Sequence, residues 1–309
     1  MPFRFLLVLL LAAAPAHAAS AHFAPRELFR VPFGKDGRTL GTRIEKGQFL
    51  IPRDFTMDSA GHFYIYDSNN HRIVRYSSEG VYQMNIEYPE TAKQVFAHAD
   101  ALENLWILIS DPRRGLYYGV YDTHGKALRE GLFSQFNQYR LHVDDDAVLH
   151  IIVSSDKNPD KVQTYLFDQD SLLMKKENIA RPPEEHHRVR HSGREFYIDP
   201  VPSAAQDDAS RIQQITDAER RPVASIPGQV VYVTGEGDVY TRVGERDIRV
   251  YDVDGSLKGK VTLTGLAAAC AAIRFDSAGN IFELDGIPDK ANQYTSTMPG
   301  MRLIFWERR

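Results

Sequence analysis

Residues 51–86 read IPRDFTMDSAGHFYIYDSNNHRIVRYSSEGVYQMNI, a phrase of four strand-like segments separated by turns. The segments are rich in β-branched and aromatic residues, and Gly, Asp and Asn stand at the breaks, as in short strands joined by tight turns. Similar phrases return at residues 229–263 (QVVYVTGEGDVYTRVGERDIRVYDVDGSLKGKVTL) and 272–285 (AIRFDSAGNIFELD). Weaker copies occupy residues 93–133, 139–179 and 185–226. The chain is therefore predicted to be an all-β repeat protein.

The spacing of the copies predicts the architecture. The first turn of each copy serves as a phase marker, and neighbouring markers lie 42–46 residues apart. The markers are Gly61, Asn104, Ala147, Gly193, Gly237 and Gly279. Six four-stranded units at this period predict a six-bladed β-propeller that forms one domain over residues 19–309. The predicted blades span residues 51–88, 93–134, 139–180, 185–226, 229–264 and 271–309.

The sixth copy lacks a fourth strand, because its third strand, residues 303–307, is followed by only two residues. A propeller that does not close leaves an exposed sheet edge, which proteins generally avoid. The remaining strand-like segment is ELFRVPF, residues 27–33. We therefore expect residues 27–33 to complete the sixth blade and close the ring.

The phrase DSAGHFYIYDSNNHRIV, residues 58–74, resembles the NHL repeat, whose family members form six-bladed propellers. The resemblance implies a recognition surface, which is a frequent role of such propellers. Similar propellers also include peptidyl-hydroxyglycine amidating lyases, gluconolactonase-like hydrolases and strictosidine-synthase-like proteins. The lyases carry zinc-binding histidines five residues ahead of the repeat aspartate. The matching positions here contain no histidine: Arg53, Val95, Tyr139, Glu185, Gln229 and Ala271.

The N-terminus has the pattern of a cleaved secretory signal over residues 1–18. Arg4 precedes an apolar run at residues 5–14, and Ala16-His17-Ala18 places small residues at the cleavage positions. The apolar run is shorter than the roughly 20 residues that span a bilayer. We expect an exported protein, periplasmic or secreted, with no membrane span; the alanine-rich signal is typical of bacteria.

Composition excludes several classes of partner. The chain has 37 basic and 41 acidic residues and a formal net charge of −4, which argues against nucleic-acid binding. It has one cysteine, so no internal disulfide can form and the fold depends on core burial. We expect a monomer whose partner is a small anionic ligand or another envelope protein.

One column of residues in the first strands of the blades is predicted to line the central channel. Strand side chains alternate with period two, and this column alternates with two apolar columns. The column is Thr56, His98, His142, Arg188, Tyr232 and Arg274. Two guanidiniums, two imidazoles and a phenol form a polar ring of mainly cationic character, which can bind an anionic ligand such as a carboxylate or a phosphate ester.

Further candidates surround this ring. The residues predicted at the channel mouth are Arg53, Tyr139, Arg140 and His186. The loops between second and third strands, such as residues 67–71, share a face with the junctions between blades, where propellers usually take ligands. His98 and His142 together can contribute to a divalent metal site, but two histidines are an incomplete ligand set, so no cofactor or metal is predicted.

Two functions follow from this pattern. The favoured one is a non-catalytic ligand- or protein-binding module of the cell envelope, because the sequence contains no complete catalytic set. The alternative is a propeller enzyme, a lyase or a lactonase-like hydrolase, that uses the histidine, arginine and tyrosine residues of the channel ring for acid–base chemistry.

Overall fold

The computed structural model describes the chain in eleven stretches, and for residue 48 and residues 133–188 the description covers the backbone alone. The stretches are residues 21–46, 48–99, 103–133, 138–143, 149–155, 158–168, 173–177, 187–201, 211–264, 272–287 and 298–309. Within them the protein is all-β, with no helix, and its strands form six four-stranded antiparallel sheets and one short hairpin. The prediction of an all-β fold built from four-stranded antiparallel sheets is confirmed.

The chain begins with a long strand and the hairpin, and three four-stranded sheets follow in chain order. The long strand is β1 (Phe23–Pro32), and the hairpin is β2 (Arg43–Glu45) and β3 (Gln48–Leu50). The first sheet is β4 (Phe55–Met57), β5 (Phe63–Asp67), β6 (Arg72–Tyr76) and β7 (Tyr82–Glu87). The second sheet is β8 (Gln94–Ala99), β9 (Leu105–Asp111), β10 (Gly115–Tyr121) and β11 (Ala127–Phe133). The third sheet is β12 (Gln138–Val143), β13 (Leu149–Ser155), β14 (Asn158–Asp168) and β15 (Leu173–Glu177).

The second half of the chain forms the other three sheets. The fourth sheet is β16 (His187–His191), β17 (Arg194–Pro200), β18 (Ile212–Asp217) and β19 (Pro222–Pro227). The fifth sheet is β20 (Gln229–Val233), β21 (Val239–Val243), β22 (Asp247–Tyr251) and β23 (Leu257–Thr262). The sixth sheet contains β24 (Ala272–Phe275), β25 (Ile281–Gly286) and β26 (Gly300–Arg308), and β1 is its fourth strand.

The two ends of the chain are paired. Strand β1 runs antiparallel to β26, with Phe23 opposite Arg308 and Pro32 opposite Gly300, and a bulge lies at Leu28. Beyond the ladder, the backbone N–H of His22 donates to Arg309 and that of Arg309 donates back to His22, at 3.2 and 2.8 Å. The strand predicted over residues 27–33 is thus present, somewhat longer, and it pairs with the last strand.

Apolar clusters join neighbouring sheets in sequence order. Separate clusters join the first sheet to the second, the fourth to the fifth, the fifth to the sixth, and the sixth back to the first. Strand β5 shows why the sequence reads as a continuous apolar run. Phe63 and Ile65 pack towards the sixth sheet, Tyr64 and Tyr66 pack towards the second, and all four are buried. Both faces of the first sheet are therefore covered.

The repeated aspartates of the sequence close tight turns. In the turn from β24 to β25, the Asp276 carboxylate accepts the backbone N–H groups of Ala278 and Asn280 at 3.0 and 2.9 Å. The side chain of Asp217 accepts two backbone N–H groups in the same way between β18 and β19, as does that of Asp252 between β22 and β23. Short side chains that bond to the backbone two residues ahead favour turns.

Residues 67–72, in the middle of the NHL-like phrase, form hydrogen bonds with the segment that follows β1. The buried Asp67 carboxylate accepts the Gly41 N–H at 2.8 Å and the Arg72 Nε–H at 3.0 Å. The Arg72 guanidinium also donates to the carbonyls of Asp36 and Thr39, both at 2.7 Å. The phrase SNNHR after β5 thus satisfies loop carbonyls, and it attaches residues 36–41 to the first sheet.

Candidate functional site

A polar cleft of about 560 Å³ opens between the first and second sheets, at the end of β5. Its walls come from the segment before β4, the loop between β5 and β6, and the junction between β7 and β8. The lining residues include Arg43, Arg53, Asp54, Tyr66, Ser68, Asn69, His71, Tyr88, Glu90 and Lys93. The cleft is therefore lined by a loop between second and third strands and by a junction between two sheets, which the sequence analysis predicts to share one face.

Cationic side chains at the rim give the cleft its electrostatic character. The side chains of Arg53 and Lys93 are exposed, and neither has a hydrogen-bond or ion-pair partner among the residues that the structure describes. Arg43 is also exposed and pairs with Glu45 at 2.7 Å across the hairpin. Arg53 and Lys93 outnumber the exposed Glu90 carboxylate of the same lining, so the mouth of the cleft keeps a net positive charge that attracts an anion.

Tyr66 fixes one wall of the cleft to the second sheet. Its hydroxyl donates to the Ala97 carbonyl at 2.9 Å and accepts the Ala97 N–H at 2.6 Å. Burial raises the pKa of the Tyr66 hydroxyl well above its ordinary value, so the phenol stays neutral. A neutral phenol that both donates and accepts holds β5 and β8 at a constant separation beside the cleft.

Asp54, in the lining of the cleft, forms an ion pair with Arg274. This contact joins the first sheet to the sixth, and the Arg274 guanidinium also lies over the Phe55 ring, 5.6 Å from its centroid. Burial raises the pKa of Asp54, and the positive charge of Arg274 opposes that shift. Arg274, predicted for the channel ring, is thus already bound to a carboxylate.

The six residues predicted for the channel ring occupy one register position. Each is paired in the ladder with an aromatic residue or a histidine of the second strand of its sheet. The pairs are Thr56 with Tyr64, His98 with Trp106, His142 with His150, Arg188 with Tyr197, Tyr232 with Tyr240, and Arg274 with Phe282. The phase read from the sequence is therefore common to all six sheets.

The side chain of Tyr232 contributes to packing between two sheets. Its ring stacks on Phe275 of the sixth sheet, with centroids 4.8 Å apart and planes 5° apart, and it meets Tyr240 edge-on. Burial raises the pKa of its hydroxyl. Because each of these sheets packs on both faces, the face opposite an apolar column is also a packing face, and alternation alone does not place Tyr232 in a channel.

The structure describes the surroundings of the other predicted site residues in less detail. Thr56 and His98 are partly buried on β4 and β8. Arg53 lies in the cleft described above. The remaining candidates carry side chains outside the described part of the chain, and for His186 the backbone lies outside it as well: His142, Arg188, Tyr139, Arg140 and His186. Their roles, and a metal at His98 and His142, stay predictions.

One polar cluster escaped the sequence reasoning. Oxygen or nitrogen atoms of Asp58, His62 and Glu103 lie within 4.8 Å of one another, at the turn between β4 and β5. The Arg75 guanidinium stands among them, 2.8 Å from His62 Nδ1 and 3.7 Å from each carboxylate. It also donates to the Thr123 carbonyl of the second sheet at 2.6 Å. The positive charge that these carboxylates balance is therefore the chain's own arginine, and the cluster joins two sheets.

Among the described residues, no helix has the length and apolar character needed to cross a membrane.

Comparisons with known proteins agree with the repeat identified above. Residues 49–76 match the NHL repeat. No curated protein matches the sequence.

Three solved structures align with most of this chain, each with a TM-score of 0.42. A streptogramin B lyase is 11% identical over 93% of this chain and 98% of its own. A luciferin-regenerating enzyme is 11% identical over 82% of this chain and 90% of its own. The calcium-binding protein regucalcin from Agrobacterium tumefaciens strain C58 is 16% identical over 91% and 93%.

The repeat match covers β4, β5 and β6, which are the strands whose phrase suggested the resemblance. The chain thus carries an NHL repeat in its first four-stranded sheet, and its resemblance to the NHL-type β-propellers is confirmed.

Proposed function

We propose that this protein is a non-catalytic binding module that takes a small anionic ligand in the cleft between its first and second sheets. The observation that carries the proposal is the pair of exposed cations, Arg53 and Lys93, which line the cleft with no acidic partner among the described residues. Guanidinium and ammonium groups are the usual protein partners of carboxylates and phosphates. The hydroxyl of the exposed Ser68 lines the same cleft and can orient a bound oxygen, whereas the amide of Asn69 donates to the carbonyls of Gly41 and Leu50.

The rest of the proposed architecture is a closed ring of six blades. It is supported by the pairing of β1 with β26 and by the cluster in which the sixth sheet packs against the first. In such a ring the cleft lies beside the channel mouth, because it is lined at the start of β4 and β8, the first strands of their sheets. The ring residues Thr56 and His98 then lie deeper along the same two strands, and Arg274 occupies the same position on β24 of the sixth sheet.

A binding role is favoured over the lyase or lactonase-like alternative. An acid–base site at neutral pH needs a group whose pKa lies near 7. The pKa of Tyr232 is raised by burial, and Arg274 is bound to Asp54. These two members of the ring are therefore better suited to packing and charge balance than to proton transfer.

Export to the periplasm or the medium is part of the proposal and rests on the N-terminal sequence. Residues 1–18 have the pattern of a cleaved signal, and they lie outside the described residues. We therefore propose that the folded protein binds its partner, an anion or a protein of the cell envelope, after export.

The cleft can be tested by thermal denaturation with inorganic phosphate, citrate and glucuronate at constant ionic strength. An anion present at about 100 times its dissociation constant should stabilise the protein by roughly 2.7 kcal/mol, which raises the melting temperature visibly. We expect Lys93→Gln and Arg53→Gln to reduce this shift and the double variant to abolish it.

The matched control is Lys126→Gln, which makes the same change of charge in an exposed turn of the second sheet. It should retain the full shift. An equal shift in Lys93→Gln and wild type, or no shift with any of the three anions, would contradict the proposal.

A further inference from the structure

A second cavity, of about 530 Å³, lies at the other end of the first sheet, between that sheet and the sixth. It is lined by the bulged part of β1, by the first and third turns of the first sheet, and by strands of the sixth sheet. We call it the aromatic groove, and its lining is Arg26, Glu27, Leu28, Gly61, Phe63, Ser78, Glu79, Asp276, Phe282 and Phe305. It reaches Phe63, whereas the anion cleft reaches Tyr66, three residues further along β5, so the two sites are roughly 10 Å apart along that strand.

Three phenylalanine rings form the floor of the groove. Phe282 lies between the other two, with its centroid 5.6 Å from Phe63 and 5.0 Å from Phe305. Phe63 is buried, while Phe282 and Phe305 are partly exposed to the groove. The faces of such rings carry partial negative charge and attract cations.

The rim of the groove is acidic. Neither Glu79 nor Asp276 forms an ion pair with a lysine or arginine in the part of the chain that the structure describes. Glu79 accepts hydrogen bonds from the hydroxyls of Ser77 and Ser78, which hold its pKa below the ordinary range. Both carboxylates are therefore negative charges that no basic side chain of the described protein neutralises.

One cation of the protein already uses this floor. The Arg26 guanidinium lies over the face of Phe305, 5.6 Å from the ring centroid. Arg26 is an exposed residue and forms no ion pair with the acids of the rim. The geometry thus accommodates a guanidinium on the aromatic floor and leaves the two carboxylates beside it unpaired with any base.

We propose that the aromatic groove binds an arginine side chain presented by a partner protein. The guanidinium would lie on the phenylalanine floor, since planar guanidiniums stack on aromatic faces, and its N–H groups would reach Glu79 and Asp276. The cavity is large enough for the side chain and the flanking backbone, and its charge is opposite to that of the anion cleft. The inference does not depend on the ligand proposed for that cleft.

The experiment is a calorimetric titration of the full protein at low ionic strength with a short peptide. The probe is arginine flanked by two glycines on each side, with acetylated and amidated ends. A second peptide contains citrulline, which has the shape of arginine without its charge. We expect the arginine peptide to bind, and the citrulline peptide to bind about tenfold more weakly or not at all. Binding should weaken as salt is added.

Three variants locate the site. Glu79→Gln should weaken binding about three- to tenfold, because it removes one carboxylate from an exposed turn without disturbing the core. Arg26→Gln should strengthen binding, because it frees the Phe305 face and removes a competing positive charge. The matched control is Glu219→Gln, an exposed glutamate at the same position of the corresponding turn in the fourth sheet, and it should bind as wild type does.

The proposal is wrong if the arginine peptide does not bind, or if the citrulline peptide binds equally well. It is equally wrong if Glu79→Gln and Glu219→Gln have the same affinity as wild type, since binding would then lie elsewhere. None of these outcomes affects the anion cleft, whose variants and probes are separate.

Discussion

At the scale of single residues, buried charge in this protein is balanced across the boundaries between sheets. Asp238, in the first turn of the fifth sheet, is bound by Arg308 of β26 and by Lys258 of β23, the latter at 2.5 Å. Burial opposes ionisation of the carboxyl group, but the hydrogen bonds from Lys258 and Arg308 outweigh it and hold the pKa of Asp238 below its usual value. Arg75 plays the corresponding part between the first and second sheets.

The depressed pKa of Asp238 predicts a particular loss of stability in acid. The ionised form is favoured in the folded protein, so its contribution is complete above the unfolded pKa of about 3.9 and is lost as the pH falls through the lower folded value. Asp238→Asn should cost about 1.5–3 kcal/mol of unfolding free energy at pH 7. The gap between variant and wild type should narrow as the pH falls below that unfolded value.

Urea denaturation between pH 7 and pH 2 measures this gap. Glu245→Gln removes an exposed carboxylate in the same sheet and should track wild type at every pH. A gap for Asp238→Asn that is constant with pH would mean that the two cations do not act through the ionised carboxylate.

At the scale of elements, the same turn sequence stands in two different environments. The phrase DSAG begins at Asp58 in the first sheet and at Asp276 in the sixth, and its glycines have φ angles of 83° and 79°. Non-glycine residues rarely adopt such angles. A Cβ on Gly61 would meet only Ser78, at 3.8 Å, whereas a Cβ on Gly279 would overlap the Tyr240 hydroxyl, which donates to the Gly279 carbonyl at 2.9 Å.

Alanine substitution at the two glycines separates backbone strain from packing. Gly61→Ala should cost about 1–2 kcal/mol, the price of a left-handed backbone. Gly279→Ala should cost about 1–3 kcal/mol more, because the fifth and sixth sheets must move apart to admit the methyl group. Chemical denaturation of both variants provides the comparison. Equal losses would show that contact with Tyr240 does not limit the turn.

Sequence reasoning was most successful for repeated local features and least successful for features formed between sheets. The turn and strand pattern of residues 51–86 predicts the first sheet, and the spare segment near residue 30 predicts the strand that pairs with β26. The anion cleft and the Arg75 cluster depend on which sheets are neighbours and how closely they pack. The pairing of Arg274 with Asp54, 220 positions away in the chain, has no local signal in the sequence.

The alternation of side chains along a strand predicts which face of the sheet each residue lies on, but not whether that face is exposed to solvent. Because neighbouring sheets cover both faces of β5, Tyr64 and Ile65 are equally buried although they point in opposite directions. For Tyr232 the same geometry places the ring between two sheets. The predicted ligand roles of the ring residues therefore need direct tests, and their common register is what the sequence could establish.

At the scale of the whole molecule, β1 contributes to the core as well as to the sixth sheet. Phe29 is buried in the cluster between the sixth and first sheets, with its ring 5.6 Å from Phe63 and 5.8 Å from Tyr76. Residues near one end of the chain therefore fill a space between the first and last repeats. We therefore expect the packing of Phe29 to contribute to the free energy of unfolding of the whole protein, although the residue lies near one end of the chain.

Phe29→Ala tests that dependence. The cavity and the lost burial should cost about 3–5 kcal/mol, as for other large buried rings, and should lower the urea midpoint accordingly. Leu257→Ala truncates an exposed residue on β23, where the side chain is 58% exposed, and should change stability by no more than about 0.5 kcal/mol. A loss for Phe29→Ala as small as that of the control would mean that β1 is dispensable to the core.

The reciprocal backbone hydrogen bonds between His22 and Arg309 also bear on how the protein can be re-engineered. Because the two positions are adjacent in space, a peptide linker of a few glycines can connect them, and new termini can be opened in the exposed turn at residues 218–220. Such a circular permutant should keep every sheet intact, with all four strands of the sixth sheet then contiguous in the polypeptide. A purification tag fused after residue 309 would, by the same adjacency, emerge beside the start of β1.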